Sequence, residues 1–126
     1  MAATVEKVNV PKITETQLFI GGRWEPSSAG KKFPTINPAT EEVLAEIDEG
    51  TAEEVDRAVR AARRALEAGP WATMDARDRG ALLHKLADAI QQEREELAVL
   101  ETLDNGKRIG DSRDVDVPLC VDALRY

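Results

Sequence analysis

At 126 residues the chain is as long as one ordinary domain, enough to bury a core without disulfide or metal staples. Its residues are 42% hydrophobic and 33% charged but only 4% aromatic, which describes a globular protein packed through aliphatic side chains and alanine. A formal charge of -7 argues against a nucleic-acid partner, whose phosphates require clustered Lys and Arg; one cysteine, Cys120, rules out an internal disulfide and fits a reducing compartment.

Residues 1–16 carry acids at Glu6 and Glu15, with no apolar core and no arginine-rich stripe. They read as neither a secretory signal nor a transit peptide, and a mobile arm on a cytoplasmic protein is expected. No apolar run approaches the ~20 residues that a membrane span needs. From Gln17 to Glu49 the signals are those of short strands and turns. Leu18-Phe19-Ile20 and Arg23-Trp24-Glu25 flank Gly21-Gly22, a pair that accepts the positive φ angles of a tight hairpin. Pro26 to Gly30 reads as a loop. Phe33 to Ile36 and Val43 to Ile47 are again strand-like, separated by the turn signal Asn37-Pro38-Ala39-Thr40.

After Gly50 the period changes to that of helices. Thr51 and Glu54 form a capping-box pattern, and Val55, Ala58, Val59, Ala62 and Leu66 then fall on one apolar stripe. Arg57, Arg60, Arg63 and Arg64 alternate with Glu53, Glu54, Asp56 and Glu67, the pattern of a solvated, ion-paired face. Gly69-Pro70 ends this helix. Asp75 is placed to cap the next, with Leu82, Leu83, Leu86, Ala87 and Ile90 expected as its buried face and a break between Gln91 and Arg94. Leu97, Leu100 and Leu103 continue the period up to Asn105-Gly106, a pair suited to a left-handed stop. Pro118 suits the first turn of a last helix capped by Asp116, with Leu119, Cys120, Ala123 and Leu124 as its apolar face. No repeat interrupts the series.

Chemistry-bearing residues are few. Cys120 sits in an apolar stripe and reads as a small core hydrophobe, since a reactive thiolate wants an accessible, electropositive setting. His84 is the only histidine, so a metal site built on it lacks partners. The many carboxylates show no pairing suited to acid–base work. Gly21-Gly22 leads into a strand, and neither a G-x-G-x-x-G nor a phosphate-loop pattern occurs.

Read in order, four stretches resemble the start of an NAD(P)-dependent aldehyde dehydrogenase. They are Leu18 to Trp24, Phe33 to Val43, Pro70-Trp71 with the Arg77 to Leu86 helix, and Glu101 to Lys107, with Val115 to Tyr126 as a fifth. The wording is closest to the betaine-aldehyde and class 1/2 types. The resemblance implies an α/β fold: N-terminal β-hairpins followed by three to four helices, the leading part of a dinucleotide-binding domain, over residues 17–126. It further implies a homo-oligomeric enzyme that oxidises a small aldehyde to the carboxylic acid with NAD or NADP. There a cysteine attacks the carbonyl, hydride passes to the cofactor, and a glutamate activates water. None of those parts maps onto these 126 residues, so neither a catalytic nor a cofactor-binding residue is assigned, and no cofactor is expected to bind this chain.

One ligand role does map here by resemblance. Ile36, through its backbone carbonyl, and Asp104 match positions that bind a monovalent cation, in a set left incomplete by a further oxygen from elsewhere. Two positions depart from the family wording: Glu41 stands where glycine is common, which suggests a different turn before Val43, and Arg108 where proline is frequent. The expectation is therefore an N-terminal fragment, inactive alone. The alternative is a non-catalytic binding or assembly module that uses its apolar helix faces.

Overall fold

The computed structural model describes residues 10–126. The expected arm at residues 1–16 therefore falls, for its first nine residues, outside the described residues. Two separate antiparallel hairpins come first. In the first, β1 (Leu18–Ile20) pairs with β2 (Arg23–Glu25), Ile20 lying opposite Arg23. Gly21 and Gly22 close it with φ of 60° and 84°, the doubly left-handed turn that matches strand twist. Across this pair the rings of Phe19 and Trp24 pack at a tilt of 53°, 4.9 Å between centroids.

The second hairpin joins β3 (Lys32–Ile36) to β4 (Val43–Asp48), with a register irregularity between Thr35 and Ile36. Its turn is held by Asn37, whose side-chain Oδ1 accepts from the Ala39 N–H at 2.9 Å and whose carbonyl accepts from the Glu41 N–H at 2.8 Å. Glu41 takes a φ of 62°. The turn thus adopts a left-handed conformation natural to glycine despite the glutamate, contrary to the different geometry expected from the substitution. Buried Ser27 ties the loop to this hairpin: its N–H donates to Asp48 Oδ2 at 3.1 Å and its hydroxyl to the Glu49 carbonyl at 2.6 Å.

Helix α1 (Ala52–Glu67) opens on the expected capping box, both halves of which form between Thr51 and Glu54. Glycine and proline end it as expected, Pro70 starting the short α2 (Pro70–Thr73). Helix α3 (Ala76–Gln92) breaks at Glu93 into α4 (Arg94–Asn105), which stops at Gly106 with φ 79°. Asp75 occupies the N-cap position of α3 but forms no capping hydrogen bond through its side chain.

The last helix differs from its expected form. It starts earlier, as α5 (Ile109–Asp111), runs through a π-helical segment (Ser112–Asp116), and ends as α6 (Val117–Arg125). Asp116 is inside this run, with helical backbone, and binds Lys107 instead of capping anything. Pro118 explains the π register. Its ring would crowd the carbonyl four residues back and it has no N–H to give. The Val117 N–H instead reaches the Ser112 carbonyl, five residues away, widening the turn just ahead of the proline.

The core lies where α3, α4 and α6 meet. Ala87, Ala98, Val99, Val117 and Val121 are its buried apolar residues, and their small size lets the helices approach closely. Inside it, the hydroxyls of Thr102 and buried Ser112 pair at 3.0 Å. Much of the expected burial is absent. Of the face assigned to α3, Ala87 is buried and Ile90 partly so, while Leu82, Leu83 and Leu86 are exposed. On α1, Val55, Val59 and Leu66 keep 58%, 58% and 55% of their surface in water. Cys120 is also exposed, because the sheltered line on α6 runs through Val117 and Val121 and leaves position 120 on its flank.

The α/β class stands, with hairpins ahead of four helices of nine or more residues. No helix among the described residues is long and apolar enough to cross a membrane.

Candidate functional site

The two positions singled out for a cation lie on elements that meet. Asp104 stands in the last turn of α4, where unpaired carbonyls already carry partial negative charge and no basic residue offsets it. A carboxylate there deepens a negative potential that a cation would relieve. Gly106 brings this helix end against the Asn37-Pro38 turn. A Cβ at 106 would lie 2.8 Å from Pro38 Cγ, so glycine is required by contact as well as by its φ of 79°.

Thr35, on β3, closes the junction by donating its hydroxyl to Asp104 Oδ1 at 2.5 Å. The neighbouring Ile36 side chain is 47% exposed. Thr35 was missed in the sequence. The signal was available in principle, since residues 33 and 35 share one face of the strand and a threonine there is its only hydroxyl.

The carboxylate and the hydroxyl are hard oxygen donors of the kind that suit an alkali or alkaline-earth ion. Among the described residues no three of His, Cys, Asp and Glu converge, which argues against a site of the zinc type. Beside Asp104 an apolar cleft of about 350 Å³ opens between Ile13, Leu44, Leu97 and Leu100.

The two features that the sequence offered as phosphate seats are otherwise engaged. The Gly21-Gly22 turn joins two strands and does not lead into a helix. The N-terminus of α1, the natural place for an anion, is filled by the chain's own carboxylate. Glu54 is almost wholly buried and accepts from the Thr51 N–H at 2.7 Å and the Ser28 N–H at 2.5 Å. Those two backbone donors, Thr51 first, lower its pKa from 4.5 to about 2, against the opposing effect of desolvation. His84 and Cys120 are both exposed, on α3 and α6.

The model of the Aldehyde dehydrogenase family matches residues 24–126. The chain belongs to the aldehyde dehydrogenase family. Aldehyde dehydrogenase 1A1 of Homo sapiens is 49% identical over 116 residues, covering 91% of this chain and 23% of the relative. The same identity and coverage hold for the cytosolic aldehyde dehydrogenase 1 of Elephantulus edwardii. Among solved structures, the NAD+ complex of an aldehyde dehydrogenase from Bacillus cereus superposes with a TM-score of 0.86 at 49% identity, covering 90% of this chain and 23% of that one. An apo betaine aldehyde dehydrogenase mutant from Staphylococcus aureus gives 0.84 at 38% identity, covering 89% and 22%. This aldehyde dehydrogenase chain thus spans about 23% of the length of such relatives. The hairpins and helices described above are the part that corresponds.

Proposed function

We propose that these residues form the leading scaffold of an NAD(P)-dependent aldehyde dehydrogenase that oxidises an aldehyde to a carboxylic acid. The catalytic cysteine, the glutamate and the dinucleotide site are carried by polypeptide outside this chain, which is inactive alone. The observation that carries this reading is the uncovered apolar stripe of α1, with Val55, Val59 and Leu66 more than half exposed in a chain of this family. Residues 17–126 act as a segment of the cofactor domain. The enzyme is homo-oligomeric and cytoplasmic, its location being in keeping with the single cysteine and with a relative named as cytosolic.

In that enzyme Ile36, through its carbonyl, and the Asp104 carboxylate hold a monovalent cation, with a further oxygen from outside the chain. The Thr35 hydroxyl holds the Asp104 carboxylate in place. The ion fastens the β3–β4 hairpin to the end of α4 and takes no part in bond making.

The test is direct. The 126-residue chain, mixed with a small aldehyde and NAD+ or NADP+, is expected to yield no reduced cofactor; turnover would overturn the assignment of the chemistry to absent polypeptide. The same exposed stripe supports a second reading, a non-catalytic assembly module that seats against a separate protein. Recovery of a stoichiometric partner other than an aldehyde dehydrogenase chain would favour it.

A further inference from the structure

We draw no further inference here: the strongest candidate, the open groove between the β1–β2 turn and α1 rimmed by Arg23, Arg57, Arg60 and Arg64, has two of its guanidiniums already held by Glu25 and Asp56, and nothing in the structure shows what covers it.

Discussion

Replacing Val55, Val59 and Leu66 together by serine separates a face that stabilises the chain itself from one that waits for other polypeptide. Each side chain keeps more than half its surface in water. Serine has nearly the helix propensity of valine and somewhat less than leucine, and the covered part of each side chain, a little under half, contributes roughly 0.6–1.3 kcal/mol, so the triple change costs the isolated chain about 3 kcal/mol. Burying the remaining surface would contribute roughly half of the ~1.5–3 kcal/mol that a fully sheltered Val or Leu provides. For the three together that is about 3 kcal/mol, or roughly a hundredfold in an association constant. Val121→Ala is the control. That residue is 2% exposed, and its truncation removes about 2 kcal/mol including a cavity contribution, or about 8 °C for a chain of this size. Thermal melts followed by circular dichroism should show losses of similar size for the triple variant and for the single Val121→Ala substitution. Binding to the catalytic remainder of an aldehyde dehydrogenase should show the larger loss for the triple variant. A triple variant that binds that remainder as tightly as the unmodified chain would refute the reasoning, because the stripe would then be a finished surface.

Acid and alkali should each expose one ion contact. Glu54 has a folded pKa of about 2, below its ordinary 4.5. Its contribution is therefore complete above the ordinary value and lost as pH falls toward the folded one. Glu54→Gln should flatten the stability profile over that acid window, and an unchanged profile would contradict the capping role. Lys107, raised above 10.5 chiefly by its hydrogen bond to Asp116, contributes fully below that value and loses its contribution as pH rises through the folded one. Asp116→Asn should remove this alkaline limb in a pH series of melts; persistence of the limb would assign it elsewhere. Gly106→Ala should lower the melting temperature by the ~1–2 kcal/mol of a left-handed alanine, with crowding of Pro38 added. Gly80→Ala, on a helix with open space around it, should raise stability by about 0.5–1 kcal/mol; equal effects at both sites would exclude the proposed contact.

What the sequence disclosed was local. Gly21-Gly22, the Thr51–Glu54 capping box, the break near Glu93 and the Gly106 stop are each determined by a few adjacent residues, and each is found where expected. The π segment was hidden because Pro118 is compatible with a first helical turn, and only the Val117 to Ser112 bond shows that the helix begins earlier. Burial was the least legible feature. Periodicity marks which side of a helix is apolar, not whether anything lies against it, so Leu82, Leu83, Leu86 and Cys120 read as core and are exposed. At the cation junction the sequence supplied Ile36 and Asp104 through family wording alone. Thr35 emerged only when the fold brought residues 69 positions apart into contact.

Amide hydrogen exchange across α1 and α6, compared between this chain alone and the same residues continuous with the catalytic remainder of an aldehyde dehydrogenase, tests the central claim most directly. Protection should rise sharply along the turns that carry Val55, Val59, Leu66 and Leu119 once that polypeptide covers them. Equal protection in both forms would mean that these faces are finished surfaces, and that the chain is not a scaffold awaiting the rest of an enzyme.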